Sequence, residues 1–256
     1  MCLVVWGWKV HPEYPLIFIA NRDEAYPRET QALAPWRTQP EIYAGQDKVA
    51  GGTWAGMART GNFAAVTNVR STTEMNASED PQRLSRGLLV RQFLEGQQDP
   101  LTYIAKVEND KHRYAGFNLL VGNMQQLMYY SNHSERPRSL RRGIYALSNG
   151  VLSDSWPKAE ESKVAFTRAI SRRTPAFDEL FAMMQNERTY PTHMLPNTGL
   201  APEVETALSA AFVKTPGYGT RSTLLMVVNH KQEVTMQEQV YDAGAEGQQS
   251  YSFNLS

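Results

Sequence analysis

The sequence predicts an α+β fold in which two mainly antiparallel β-sheets pack face to face between layers of helices, a four-layer αββα sandwich. Strand-like segments open the chain, helix-like segments dominate its middle, and strand-like segments return towards its end. Several neighbouring strands are separated only by short turns, which favours hairpins, and no regular strand-helix alternation indicates a doubly wound parallel sheet. At 256 residues and 41% hydrophobic content, the chain can bury a substantial core, and we expect a single domain over residues 1–256.

The first two predicted strands are apolar runs at residues 3–6 and 16–19, joined by a turn that contains two prolines. If these strands pair as a hairpin, the second one brings Asn21-Arg22-Asp23-Glu24 back to the end of the sheet at which the first one starts. The only cysteine of the chain, Cys2, stands immediately before the first strand. The sequence therefore places a thiol and a charged cluster at the same sheet end.

Cys2 is a candidate nucleophile. Removal of the initiator methionine, which a residue as small as cysteine permits, would leave a thiol and a free α-amine on one residue. The thiolate is the attacking form, and an α-amine that titrates near 7.7 to 8.0 is suited to carry its proton. Arg22 could hold the thiolate, and Asp23 could accept a hydrogen bond from the amine. The alternatives are a buried, inert thiol and a charged cluster that forms a solvated turn.

The segment that follows is expected to contain both irregular chain and a hairpin. Prolines at positions 27, 35 and 40 favour an irregular connection over residues 25–50, either a lid or pocket wall, or a surface loop packed by its own aromatic residues. Residues 53–58 and 63–68 predict a hairpin. Asn68 ends its second strand, where the side-chain amide could donate to an oxyanion or merely cap a turn. Residues 71–82 are polar and predict a linker.

The remaining elements follow from periodicity and turn residues. We predict helices in the regions 85–94, 101–105, 157–170, 177–184 and 204–212, the first capped by Ser85 and the third by Asp154 or Ser155. We predict strands at 117–121, 127–131, 144–147, 222–229 and 233–241, with a loosely held tail near 244–249.

Composition excludes several classes of function. Lys plus Arg and Asp plus Glu both number 26, so no basic excess indicates a nucleic-acid surface. A single cysteine leaves no internal disulfide and no cysteine-based metal site, and the five histidines lack ligand spacing, so we expect no metal. The first apolar run is interrupted by Gly7 and Lys9, and no run approaches 18 apolar residues. We therefore expect neither a secretory signal nor a membrane span, and a cytoplasmic location.

A series of short motifs resembles the NRDE family, also called the transport and Golgi organisation protein 2 family. The motifs are Cys2 after Met1, Asn21-Arg22-Asp23-Glu24, Gly51-Gly52-Thr53-Trp54-Ala55-Gly56, Thr67-Asn68-Val69-Arg70, Leu147-Ser148-Asn149-Gly150 and Gly219-Thr220-Arg221-Ser222. The resemblance implies an N-terminal-nucleophile hydrolase fold, similar to choloylglycine hydrolases and penicillin V acylases. It also implies that Asn149 is a second oxyanion donor beside Asn68, and that Arg221 points towards the nucleophile and keeps the thiolate ionised. Without the resemblance, Asn149 would be a left-handed Asn-Gly turn, and Arg221 an ordinary salt bridge at a sheet edge.

Two functions from different classes remain open. The first is a Cys2-dependent amidohydrolase that cleaves a carbon-nitrogen amide bond of an acylated small molecule and requires no cofactor. The second is a non-catalytic carrier of haem or of an acyl lipid that uses the same cleft, a role that the family resemblance suggests. The spacing of arginine and aspartate differs from that of the choloylglycine enzymes, so either Asp23 or Glu24 could serve the amine.

Overall fold

The computed structural model describes residues 3–39, 41–78, 80–134, 136–241 and 247–256. The chain forms two compact units, the first from Met1–Pro27 and Arg142–Ser250, the second from Arg28–Arg141 and Tyr251–Ser256. The prediction of a single domain stays a prediction. Among the residues described, no helix combines the length and apolar character that crossing a membrane requires.

The elements are numbered along the chain. The strands are β1 (Leu3–Trp8), β2 (Leu16–Ala25), β3 (Thr30–Pro35), β4 (Ile42–Asp47), β5 (Ala55–Ala58), β6 (Phe63–Asn68), β7 (Phe117–Gly122), β8 (Leu127–Ser131), β9 (Arg138–Ser139), β10 (Gly143–Leu147), β11 (Lys214–Thr215), β12 (Tyr218–Val228), β13 (Glu233–Val240) and β14 (Gly247–Asn254). The helices are α1 (Thr72–Ser78), α2 (Gly87–Glu95), α3 (Pro100–Asp110), α4 (Pro157–Ala169), α5 (Phe177–Met184) and α6 (Pro202–Ala207).

The first sheet has the strand order β10-β1-β2-β12-β13-β14, in which β11 also pairs with β12, and all of its strands except part of β14 belong to the first unit. The pairings from β10 through β13 are antiparallel. Alternate residues of β1, β2 and β12 pack on α4 and α5, and the cluster includes Leu3, Ile19, Phe166, Leu180 and Leu225. Because strand side chains alternate between faces, this packing fixes which residues of each strand face the helices.

The second unit contains a sheet with the strand order β3-β4-β5-β6-β7-β8-β9, and its pairings are antiparallel. One face of this sheet packs on α2 and α3 through a cluster that includes Val66, Phe93, Ile104, Leu119 and Tyr130. Asp99 starts α3, since its side chain accepts hydrogen bonds from the backbone N–H groups of Leu101 and Thr102. Each unit thus supplies one sheet and one helical layer.

Several sequence-based element predictions are wrong. Residues 25–50 are not an irregular connection, because β3 and β4 pair within them, and Pro35 is only the last residue of β3. Residues 71–82 are not a simple linker, because they contain α1. The predicted helix over residues 204–212 ends at Ala207. Of the predicted loose tail near 244–249, residues 247–249 belong to β14, and residues 244–246 lie outside the described residues.

The predicted helix caps are also wrong. The helix α2 begins after Arg86 rather than Ser85, and no side-chain hydrogen bond caps its start. Trp156 precedes α4, again without a side-chain cap, although Pro157 occupies its first turn as predicted. The carboxylate of Asp154 instead accepts a hydrogen bond from the backbone N–H of Val151 at 2.8 Å.

Candidate active site

The starting end of β1 is flanked by two neighbouring strands of the first sheet. On one side Leu3 pairs with Asn21 of β2, and on the other side Val4 pairs with Leu147 of β10. Arg22 and Asp23 follow Asn21 on β2, and Asn149 stands two residues beyond Leu147. The structure therefore gathers three of the predicted site residues at the sheet end where the chain begins.

Asn21 has a structural role that fully uses its side-chain amide. Its Nδ2 donates to the carbonyl oxygens of Met184 at 2.7 Å and Ala211 at 2.8 Å, and its Oδ1 accepts from Thr223 Oγ1 at 2.6 Å. The side chain is completely buried. Asn21 therefore ties β2 to β12, to the end of α5 and to the chain that follows α6.

Asp23 presents one satisfied and one unsatisfied carboxylate oxygen. Its Oδ1 accepts a hydrogen bond from Thr220 Oγ1 at 2.6 Å. The residue is only 3% exposed, and its Oδ2 is buried. This oxygen has no hydrogen-bond partner among the described residues. A buried carboxylate oxygen without a donor is costly, so such an atom calls for a partner with an N–H or O–H group.

Arg22 and Glu24 differ strongly in burial. The side chain of Arg22 is 4% exposed, whereas that of Glu24 is 33% exposed, and Arg22 Nη2 lies 3.9 Å from Glu24 Oε2. Glu24 Oε1 also accepts from the backbone N–H of Ala25 at 2.9 Å. Because Asn21 faces the helices, the alternation of β2 turns Arg22 towards the opposite face of the sheet.

Arg221 occupies a β-bulge. Thr220 pairs with Asp23, and Ser222 pairs with Arg22. Asp23 and Arg22 are adjacent on β2, so Arg221 is one extra residue on β12. Arg221 is buried, and its Nη1 donates to the carbonyl oxygen of Ala25 at 3.2 Å. Bulges of this kind redirect side chains and are common beside active sites.

Gly219, directly before Thr220, permits a close approach between chain segments at this bulge. A Cβ atom at this position would lie 2.4 Å from Tyr26 Oη and 2.6 Å from the carbonyl oxygen of Val213. The first residue of the Gly219-Thr220-Arg221-Ser222 motif is therefore explained by packing, and the second by its hydrogen bond to Asp23.

Asn149 is buried, and it does not adopt the left-handed conformation that an Asn-Gly turn would require. Among the residues with positive φ, neither Asn149 nor Gly150 occurs. Position 150 instead has no room for a side chain, since a Cβ atom there would lie 2.2 Å from Asp154 Oδ2 and 2.5 Å from Trp156 Nε1. Packing of this loop against Asp154 and Trp156 therefore sets where Asn149 lies.

Asn68 and Cys2 are the two remaining predicted site residues. Asn68 ends β6 in the second unit, where it pairs with Phe117 and is half-buried. Cys2 lies outside the described residues, so its role as nucleophile stays a prediction. Within the described ranges, His, Cys, Asp and Glu side chains form no group of three or more that could hold a metal ion.

Sequence reasoning missed the roles of Asn21, Thr220 and Thr223. Asn21 and Thr220 stand inside motifs that carry the family resemblance, but nothing in a single sequence shows which motif residue reaches which neighbour. Thr223 Oγ1 also lies 3.0 Å from Tyr241 Oη, to which Gln185 Nε2 donates at 3.2 Å. A chain of hydrogen bonds therefore runs from the end of α5 to Asn21.

The fold is similar to those of solved amide hydrolases. Penicillin V acylase from Agrobacterium tumefaciens aligns with a TM-score of 0.51 at 11% sequence identity, covering 99% of this chain and 86% of that chain. The Caenorhabditis elegans ortholog of N-acylethanolamine-hydrolyzing acid amidase aligns with a TM-score of 0.52 at 11% identity, covering 88% of this chain and 92% of that chain. The chain thus has the α+β fold of the N-terminal-nucleophile hydrolases, as predicted.

The sequence identifies a family within this fold class. The family model described as "Transport and Golgi organisation 2" matches residues 1–243. The transport and Golgi organization protein 2 homologs of Bos taurus and Homo sapiens are 32% and 33% identical over 264 and 259 residues, covering 93% of this chain and 92% of each relative. The chain therefore belongs to the transport and Golgi organisation 2 family, which confirms the predicted resemblance.

Proposed function

We propose that this protein is an amidohydrolase that cleaves the carbon-nitrogen bond of an acylated small molecule, with Cys2 as nucleophile and its α-amine as general base. The observation that carries the proposal is the buried Oδ2 of Asp23, which has no partner among the described residues. An α-amine is a donor that would satisfy this oxygen. No cofactor is needed for such a hydrolysis.

The register supports the proposal that the amine and Asp23 are neighbours. Cys2 is bonded to Leu3, so their Cα atoms are about 3.8 Å apart. Leu3 pairs with Asn21, and Arg22 and Asp23 are the next residues along that strand. Asp23 suits the role better than Glu24, because Glu24 is one-third exposed and already accepts from the N–H of Ala25.

The proposed reaction has two halves. The α-amine takes the thiol proton, Cys2 Sγ attacks the amide carbonyl carbon, and the tetrahedral intermediate forms. The protonated amine then gives its proton to the leaving nitrogen, the carbon-nitrogen bond breaks, and a thioester remains on Cys2. Water activated by the same amine hydrolyses the thioester, which releases the acid and the free thiol.

The other predicted site residues have distinct roles in this reaction. Arg22 and Arg221 support the negative charge on sulfur, since both are buried cations at the same sheet end. Asn149 would donate to the oxyanion of the tetrahedral intermediate. Asn68 stays the oxyanion donor that the family resemblance predicts beside Asn149.

The names of the structural relatives support the substrate class. One is an acylase and the other hydrolyses an N-acylethanolamine, so both names describe cleavage of an acyl amide. We therefore propose a small acylated amine as substrate.

Mass spectrometry and a substrate panel test the proposal. Intact mass should show that Met1 is absent, and a panel of acyl amides should give acid and amine with the wild-type protein but not with Cys2→Ala. Asp23→Asn should lower the rate by about 10²-fold or more, because the α-amine, whose contribution as general base is about 10²-fold to 10⁴-fold, would lose the carboxylate that orients it, while the matched change Glu24→Gln should leave most activity. Turnover that Cys2→Ala retains, or no turnover of any substrate, would refute the proposal.

The alternative expectation of a haem carrier stays a prediction, as does the cytoplasmic location. Both ring nitrogens of the buried His11 are occupied, because Nε2 lies 2.9 Å from the carbonyl oxygen of Arg172 and Nδ1 accepts from the N–H of Glu13 at 3.1 Å. This side chain therefore offers no ready ligand for iron. A saturable one-to-one Soret shift on titration with haem would favour the carrier.

A further inference from the structure

The hydroxyl group of Thr220 has a defined direction. Its Oγ1 accepts a hydrogen bond from the backbone N–H of Val213 at 2.9 Å and lies 2.6 Å from Asp23 Oδ1. A hydroxyl group carries one hydrogen, and a carboxylate only accepts, so this hydrogen points at Asp23. Thr220 is buried, which shields both hydrogen bonds from water.

The donor to Thr220 belongs to a segment that is itself held from two sides. We call residues 208–213 the strap. Lys158 Nζ of α4 donates to the carbonyl oxygens of Leu208 at 2.9 Å and Ala210 at 3.1 Å. Asn21 Nδ2 donates to the carbonyl oxygen of Ala211. The strap is therefore fixed to the same strand that carries Asp23.

The bulge at Arg221 completes the arrangement. It places Thr220 directly opposite Asp23 in the pairing of β12 with β2. With Oδ1 held by Thr220, the carboxylate has one fixed oxygen and one buried oxygen, Oδ2, that remains for another donor. Fixing one oxygen limits the rotation of the carboxylate and so directs the other.

We propose that Thr220 is a positioning residue that fixes Asp23 as a carboxylate with Oδ2 directed at the α-amine of Cys2. This inference rests on the proposed function, because it assigns the partner of Oδ2 to that amine. A carboxylate held beside the α-amine favours the protonated form of the amine. The ammonium group in turn favours the thiolate of Cys2.

The charged residues around this arrangement are Arg22 and Glu24 beside Asp23 on β2, Arg221 beside Thr220 on β12, and the buried Lys158 of α4, which donates to the strap. The strap itself contains no charged residue, and Lys214, which follows it, is exposed and paired with Glu187. Removing the Thr220 hydroxyl therefore changes one contact of Asp23 and none of these charges.

The pH dependence of Cys2 alkylation tests this inference without any substrate. Cys2 is the only cysteine, so uptake of iodoacetamide measured by intact mass reports on this thiol alone. We expect Thr220→Val to shift the midpoint of the rate-against-pH curve upward by about one pH unit, which is about tenfold slower alkylation below the midpoint. Thr220→Ser, which keeps the hydroxyl, should retain the wild-type midpoint.

Thr235→Val is the matched control, because it makes the same change on β13, where Thr235 pairs with Val227 far from the bulge. Circular dichroism verifies folding, and Thr220→Ala provides a second variant without a hydroxyl. If folded Thr220→Val and Thr220→Ala have the same alkylation midpoint as Thr235→Val, the inference is overturned. A wild-type protein that turns over no amide while Thr220→Val still shifts the midpoint would overturn the proposed function alone, and retention of Met1 would overturn both.

Discussion

Replacing Asn21 with alanine should destabilise the protein by about 3 kcal/mol, although the residue touches none of the reacting groups proposed above. The substitution removes three hydrogen bonds of 2.6 to 2.8 Å from a completely buried site. A hydrogen bond contributes about 0.5–1.5 kcal/mol net, so three of them contribute about 3 kcal/mol.

The size of the destabilisation depends on what happens to the three groups that Asn21 contacts. The carbonyl oxygens of Met184 and Ala211 lose the Asn21 amide and stay inside the protein. The hydroxyl of Thr223 keeps an alternative partner, because Tyr241 Oη lies 3.0 Å away. The cost should therefore come mainly from the two carbonyl groups and from the cavity that the missing amide leaves.

Urea unfolding followed by tryptophan fluorescence measures this effect. For a chain of this length the urea dependence is about 3 kcal/mol per molar, so the midpoint should fall by about 1 M. Asn254→Ala provides the control, since Asn254 also lies on a strand but is exposed, and it should change stability by less than about 0.5 kcal/mol. A midpoint for Asn21→Ala equal to that of the control would refute the hydrogen-bond assignment.

Two further predictions follow from packing and burial. Gly150→Ala should lower the free energy of unfolding by about 1–3 kcal/mol, because its Cβ would overlap Asp154; Gly247→Ala, whose Cβ would have no heavy atom within 4 Å, should be neutral in the same urea experiment. Burial raises the pKa of Tyr103 above its ordinary value of about 10, and its hydroxyl donates to the carbonyl oxygen of Leu89. The hydroxyl therefore contributes its full stability below pH 10, and this contribution is lost as the pH rises above 10. The difference in urea midpoint between wild type and Tyr103→Phe should accordingly be constant from about pH 7 to 9 and shrink above pH 10.

The sequence supports predictions wherever a local pattern determines the element. The apolar runs that open β1 and β2 and the stripe of α5 are visible without knowing their partners, and α5 has the predicted bounds. The two strands missed within residues 25–50 have weaker patterns. The strand β3 reads Thr-Gln-Ala-Leu-Ala-Pro, and its only fully buried residue is Leu33. Its pairing with β4, rather than its own periodicity, makes it a strand.

The strap shows how tertiary contacts end a helix that composition favours. Residues 204–212 are largely apolar and suit a helix, yet α6 ends at Ala207. The carbonyl oxygens of Leu208 and Ala210 accept from Lys158, and that of Ala211 accepts from Asn21. Side chains outside the segment therefore supply the hydrogen bonds that these carbonyl groups would otherwise need from a longer helix. Neither donor is near the strap in sequence, which is why its course could not be predicted.

The bulge at Arg221 links strand register to the chemistry proposed for this site. Ser222 pairs with Arg22, so an unbroken ladder would place Arg221 opposite Asp23 and Thr220 opposite Glu24. The extra residue instead sets Thr220 against Asp23, and its hydroxyl reaches the carboxylate. The motif Gly219-Thr220-Arg221-Ser222 indicates which residues matter, but a one-residue shift between strands about 200 positions apart leaves no trace in local periodicity. The hydrogen-bond partner of the Asp23 carboxylate is therefore a property of the paired sheet, which the sequence alone does not reveal.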